Sequence, residues 1–339
     1  MLRKKIVLAL LAALLPVVAL LAADTYLHYR AEVNRSYAHV NRWGYRGPVL
    51  GSKQPGEYRI AIVGGSTAFG LGAELEESIP AVIERELRGR SERRVTVVNL
   101  AFPADGAYAD RWTLNHYRFL DYDAAIIYSA YNDLRGEHQR NLANHRHESA
   151  IFKLTGYYPW VSVALKSKAR ALRGDPNGGE EKPVVSPGIL RASGAATLDF
   201  LAALDRQLGL SAQSLQTVEQ SNSGADPLWG FYLEQIDGMI SDLLANGKRA
   251  IVVIPPKLRS TPDGIGRPGE LLHASQRAAV RRLIAERYAA NPRVLLIDAS
   301  ETVDLLDRRY AFHDRIHLNG TGNAIVAAHI ATALVPLFE

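Results

Sequence analysis

The chain has 339 residues, of which 47% are hydrophobic and 22% charged, with 40 Lys and Arg against 35 Asp and Glu. That length holds one large domain or two small ones, and the composition is that of a globular protein able to bury a core without covalent staples. There is no cysteine, which excludes disulfides, thiolate metal sites and cysteine nucleophiles. The formal net charge is +5, and the basic start Met1-Leu2-Arg3-Lys4-Lys5 carries three of the cations; no basic patch interleaved with aromatics remains, and nucleic acid is not an expected partner.

Ile6 to Ala23 is a run of eighteen residues, apolar throughout and interrupted only by Pro16. Preceded by three cations and apolar on every side, it reads as a short transmembrane helix or the core of a secretory signal rather than a buried helix. A cleavable signal wants small residues at −3 and −1, whereas Leu21-Ala22-Ala23 places Leu at −3. The expectation is therefore an uncleaved anchor over residues 1–23 in the cytoplasmic membrane. Its basic end lies in the cytoplasm and the remaining chain in the periplasm or outside the cell. Cleavage would instead give a secreted protein.

Residues 24–57 form a polar lead-in that contains Asn41-Arg42-Trp43-Gly44-Tyr45-Arg46-Gly47-Pro48 and is expected to pack as a loop against the domain. From Tyr58 onward, short apolar runs alternate with amphipathic stretches. Strands are expected at Tyr58–Val63, Val95–Leu100, Ala124–Ser129, Arg249–Ile254 and Val294–Asp298. Helices are expected at Ile79–Arg88, Tyr108–Leu120, Leu228–Asn246, His273–Ala290 and Gly322–Leu337, with Gly247 a stop signal for the third of these. Strands separated by helices imply an α/β fold of three layers, α/β/α, around a doubly wound five-stranded parallel sheet. An insertion at about 135–226 interrupts the alternation. Its Pro- and Gly-rich tract Gly174–Gly188 reads as a mobile loop.

Chemistry is concentrated where the apolar runs end. Ile60-Ala61-Ile62-Val63 runs directly into Gly64-Gly65-Ser66-Thr67-Ala68-Phe69-Gly70, so Ser66 stands at the carboxyl end of a buried strand, where open α/β sheets bind their ligands. Taken alone, such a serine is an ordinary helix cap. The turns Phe102-Pro103-Ala104-Asp105-Gly106 and Tyr131-Asn132-Asp133 follow the next two strands, and Asp314-Arg315-Ile316-His317 precedes the last helix. An Asp three residues before a His can hold one imidazole nitrogen while the other faces the serine, as a Ser-His-Asp arrangement requires. Neither G-x-G-x-x-G nor G-x-x-x-x-G-K-[ST] can be laid over Gly64–Gly72, which disfavours a nucleotide site.

These blocks resemble the SGNH/GDSL hydrolase superfamily. The first matches the GGS-T-x-x-G variant of exported bacterial members, the third reads Ala130-Tyr131-Asn132-Asp133, and the last reads Asp314 to Asn323. Gly65 stands where many relatives have Asp, and Ala130 where they have Gly. The resemblance implies the flavodoxin-like SGNH fold over residues 58–339, apart from the insertion. It implies Ser66, Asp314 and His317 as a catalytic triad. Ser66, Ala104 and Asn132 would form the oxyanion hole, with Gly106 as the alternative to Ala104. The implied activity is hydrolysis of an acyl or acetyl ester of a carbohydrate or lipid, with no metal or organic cofactor. An O-acyltransferase acting on cell-envelope polysaccharide and a non-catalytic carbohydrate-binding or scaffold descendant remain the alternatives.

Overall fold

The computed structural model describes residues 2–33, 39–103, 105–135, 150–159, 161, 228–257, 267–305, 311 and 317–338. The apolar runs become β1 (Glu57–Gly64), β2 (Arg94–Asn99), β3 (Ala124–Tyr128), β4 (Arg249–Ile254) and β5 (Val294–Asp298). They pair side by side, all parallel, in the order β2-β1-β3-β4-β5. This is the doubly wound order of flavodoxin-like sheets, whose switch point lies between β1 and β3. Ile60, Ala61, Ile62 and Val63 are fully buried, because helices cover β1 from both sides and leave no solvated face to alternate with.

The helices are α1 (Leu2–Val33), α2 (Ser66–Phe69), α3 (Ile79–Arg88), α4 (Ala107–His116), α5 (Ala150–Thr155), α6 (Gly230–Ala245), α7 (Arg267–Arg287), α8 (Ala299–Thr302) and α9 (Gly320–Leu334). One layer pairs α3 with α9, and the other pairs α4 with α6. In α3 the buried Ile79, Val82, Ile83 and Leu87 recur at helical spacing, giving the single apolar stripe that a surface helix docks with. Gly247, at φ +73°, ends α6 as expected. Elsewhere the element ends move. Helix α7 begins at Arg267 rather than His273. Helix α4 stops at His116, and Tyr117–Leu120 tighten into a 3-10 turn that closes on Asp121 in the left-handed region.

Helix α1 does not stop at Ala23 but runs through the first part of the lead-in to Val33. Leu14, Leu15, Val17, Val18, Leu20 and Leu21 are each at least half exposed on it. Among the described residues Gly320–Leu337 is long and apolar enough to cross a membrane, whereas the apolar stretch of α1, Leu14–His28, is shorter. However, Val326, Ala327, Ile330, Ala331 and Leu334 are buried in the core, and this segment is a core helix. Helix α1 meets the domain at Asp24, whose carboxylate accepts hydrogen bonds from the Tyr157 hydroxyl and, at 2.7 Å, from the Val161 N–H. His28 adds a 3.0 Å hydrogen bond from its Nε2 to the Tyr158 carbonyl.

Asn41–Pro48 of the lead-in form a hydrogen-bonded corner. Asn41 donates from its side chain to the Gly47 carbonyl and accepts from the Trp43 N–H, both at 2.9 Å. Gly44, at φ +74°, lies where a Cβ would press on Phe152, Tyr117 and Tyr158. Phe152 of α5 joins Trp112, His116, Tyr117 and Tyr158 in an aromatic cluster that packs α5 against α4. The tract Gly174–Gly188 lies outside the described residues.

Candidate active site

Strand β1 ends at Gly64 with φ +151°, where a Cβ would collide with the Tyr128 carbonyl of β3. Only glycine permits that close a crossing of neighbouring strand ends. The chain then turns through Gly65, the N-cap, and Ser66 becomes the first residue of α2. As in any first helical turn, the Ser66 N–H has no carbonyl partner within the helix.

Across the site, His317 Nε2 lies 2.7 Å from Ser66 Oγ, joining residues 251 positions apart. His317 is 5% exposed and stands two residues before the N-cap of α9. That cap explains the block around it. Asn319 accepts a 3.1 Å hydrogen bond from the Gly322 N–H and donates its own N–H to the Ala311 carbonyl at 3.0 Å. A Cβ on Gly322 would overlap the Ala311 carbonyl. Asp314 and Ala104 lie outside the described residues. Gly106, the alternative to Ala104, is the N-cap of α4, and its Cα faces the Asp133 carboxylate.

Asn132 comes to the serine turn from the third strand end, on a 3-10 turn at Tyr131–Arg135. Its amide donates to the Asp105 carbonyl at 2.7 Å, and a Cβ on Gly65 would overlap its nitrogen. The bare Cα at position 65 is what lets an amide donor sit directly beside the serine turn. Tyr131 anchors the turn by donating from its hydroxyl to the Pro256 carbonyl at 2.5 Å. From α7, Gln276 Nε2 donates to the Ala130 carbonyl at 3.0 Å, and the His273 ring stands 5.0 Å from that of Tyr131. Burial, reinforced by Arg277, pushes His273 down to about 3, so it packs as a neutral ring.

Asp133 ties this turn to the second strand end. Both of its oxygens lie 3.1 Å from the Ala107 N–H, and it caps α4 where Gly106 has no side chain to do so. Burial pushes its carboxyl up to about 7, against the opposing pull of the Ala107 N–H. Beneath it, the Ser129 hydroxyl donates to the fully buried Asp110, and the Tyr232 hydroxyl donates to the Ser129 carbonyl at 2.7 Å.

A hydroxyl hydrogen-bonded to an imidazole, beside an amide donor and a helix N-terminus, is a site equipped for attack on a carbonyl carbon. Among the described residues, no group of three or more His, Asp or Glu side chains gathers as a metal site.

No protein-family model matches the sequence, and no curated protein matches it. Several solved structures are similar to it at low identity. A lipase/acylhydrolase from Enterococcus faecalis is 13% identical over 83% of this chain and 97% of its own, with a TM-score of 0.45. A member of the lipolytic protein G-D-S-L family from Veillonella parvula is 10% identical over 83% and 98%, with a TM-score of 0.43. A catalytic mutant of an acetylxylan esterase from Geobacillus stearothermophilus is 12% identical over 84% and 95%, with a TM-score of 0.45.

Three contributors to the site have no assigned role in the sequence reading. Asp133 ends the Ala130–Asp133 block, and only the fold shows that it caps α4. Gln276 carries no sequence signal, since a glutamine on a long helix is ordinarily solvated. Arg46 belongs to the Asn41–Pro48 stretch, whose sequence reads as loop packing, and the structure brings it to the serine turn.

Two outcomes follow from this geometry. Gly65→Ala should cost about 1 kcal/mol of stability, because the Asn132 amide must give up its hydrogen bond to the Asp105 carbonyl, which itself lies 3.1 Å from the added Cβ. The displaced donor should lower kcat toward the about 10²–10³-fold loss of a missing oxyanion contact. Ester turnover compared with the thermal midpoint checks this, and an unchanged kcat would refute it. For Asp133, a folded pKa above the ordinary 3.8 means that the folded state holds the proton more tightly. Its stabilising contribution is present at acid pH and is lost as pH rises from about 4 through about 7. The stability of wild type relative to Asp133→Asn should therefore fall across that window in urea titrations. A difference independent of pH would contradict it.

Proposed function

We propose that this protein is a serine ester hydrolase acting outside the cytoplasm on acyl or acetyl esters of carbohydrates or lipids. The observation that carries the reading is the 2.7 Å approach of His317 Nε2 to Ser66 Oγ, with the Asn132 amide beside the same turn.

In this mechanism Ser66 Oγ attacks the ester carbonyl carbon as its proton passes to His317 Nε2. The carbonyl oxygen becomes an oxyanion, which accepts hydrogen bonds from the Ser66 N–H and the Asn132 amide. Collapse breaks the ester C–O bond, and the departing alcohol takes the proton from His317. Water then attacks the acyl-serine with His317 again accepting a proton, and release of the carboxylic acid restores the serine. Asp314, in the role that the resemblance assigns it, steadies the imidazole tautomer and the transient imidazolium. A sugar hydroxyl in place of water would make the same cycle an acyl transfer.

Ser66 and His317 should act as a unit. In the full chain in detergent, Ser66→Ala and His317→Ala should each lower kcat on p-nitrophenyl acetate by about 10⁴–10⁶, and the double variant scarcely further. An organophosphonate should label Ser66 in the wild type and fail to do so in His317→Ala. A folded wild type that neither labels nor turns over any ester, with or without a polysaccharide acceptor, would overturn the reading.

The extracytoplasmic placement is supported by the exposed apolar side chains of α1 and the cations that precede them. A reporter enzyme fused to the C-terminus and active only outside the cytoplasm should be active. Activity solely from a reporter that requires the cytoplasm would refute the orientation.

A further inference from the structure

Helix α2 carries the serine and has only four residues, Ser66–Phe69, before Gly70 turns left-handed at φ +82°. A helix that short is not self-supporting, since nucleation costs more than one turn of hydrogen bonds returns. Its last carbonyls point toward the interior, where an unmatched acceptor is costly. Arg46 supplies the donors. Its Nη1 donates to the Phe69 carbonyl at 2.6 Å and to the Gly70 carbonyl at 2.9 Å, and its Nη2 donates to the Ala73 carbonyl at 2.7 Å. The guanidinium carbon also stands 4.8 Å above the centre of the Phe69 ring.

The arginine is itself held firmly. Its N–H donates to the Asn99 carbonyl at 3.1 Å, in a bridge from the lead-in to the end of β2. Asn99 in turn donates from its side chain to the Phe69 carbonyl at 3.1 Å. Arg46 is 4% exposed. Among the described residues no carboxylate lies within ion-pair distance of it, and three backbone carbonyls take that place. Burial lowers its pKa to about 10, which leaves it charged at neutral pH. A positive charge at the carboxyl end of α2 also suits the helix dipole. The Asn41–Pro48 corner thus ends in a planar fork gripping the turn that aims Ser66.

We propose that Arg46 is a positioning residue for the nucleophile, holding α2 so that Ser66 Oγ meets both His317 and the ester carbonyl. The proposal rests on Ser66 being the nucleophile. It makes the Asn41–Pro48 segment part of the catalytic unit and not only a cover for the domain. An ammonium cannot replace the fork, because a lysine offers one compact charge where three separated carbonyls need two nitrogens.

The test compares full-chain wild type, Arg46→Lys and Arg46→Met in detergent. It measures the organophosphonate labelling rate of Ser66, kcat and KM on p-nitrophenyl acetate, and the thermal midpoint. Assays are run well below the lowest midpoint, so that loss of fold is not read as loss of rate. Arg46→Met should lower both the labelling rate and kcat by about 10²-fold, the scale of a 1 Å misplacement of a reacting atom, with KM nearly constant. Arg46→Lys should recover only part of the loss. Variants that melt earlier yet label and turn over at the wild-type rate would overturn the proposal and leave Arg46 a stability residue. Failure of both variants to fold would equally overturn it, as a folding role. A wild type that does not label refutes the nucleophile reading itself, which keeps the two failures apart.

Discussion

Parallel pairing of β1 with β2 on one side and β3 on the other is the constraint from which the site follows. The registers Ile62 to Asn99 and Gly64 to Tyr128 bring three strand ends level at one edge of the sheet. Turns separated by tens of residues then share a few ångströms of space. Because every connection is a crossover, each strand delivers its carboxyl end to the same edge. Ser66, Asp105 and Asn132 meet there through backbone pairing, before any side chain makes a contact. The pairing also sets the composition of the turns. Gly64 must let the Tyr128 carbonyl pass, and Gly65 must let the Asn132 amide approach.

The serine turn is strongly supported from outside itself. Arg46 and Asn99 take the carbonyls at the end of α2, and Phe69 packs edge-on against Phe102 of the next turn. The asparagine turn is treated similarly, with Gln276 and Pro256 holding its two flanks while Asp133 joins it to α4. Each reacting group thus sits on a short, irregular piece of backbone whose geometry is enforced by longer elements. Sites of this kind separate the group that reacts from the groups that aim it.

A chain of contacts also runs from α1 to this edge. Asp24 and His28 of α1 bind Tyr157, Tyr158 and Val161. The Tyr158 N–H donates to the Arg42 carbonyl at 2.7 Å, and four residues later Arg46 grips α2. The apolar helix is therefore fastened to the domain by the polar contacts of Asp24 and His28.

Much of this was legible in the residues. Short apolar runs such as Ile60–Val63, bounded by glycines and separated by amphipathic stretches, read as strands covered on both faces, and that alternation implies a parallel α/β sheet. Helix ends were less legible. Whether α1 stops at Ala23 or runs to Val33, and whether α7 starts at Arg267 or His273, turns on packing partners as much as on propensity. Ser66, Asn132 and His317 could be singled out because the blocks around them fall at strand ends and before the last helix and together resemble the SGNH/GDSL superfamily, since each residue taken alone reads as an ordinary turn or cap. The distance between Ser66 and His317 could not be read in this way, since it depends on how α9 returns to β1 across 251 positions. Arg46, Gln276 and Asp133 lay beyond sequence reading for the same reason. Local sequence determined which backbone could turn, cap or extend, because those preferences belong to single residues and their neighbours. Tertiary structure alone decided which carbonyl a guanidinium or an amide would find, because those partners are distant in the chain and are brought together only when the sheet closes.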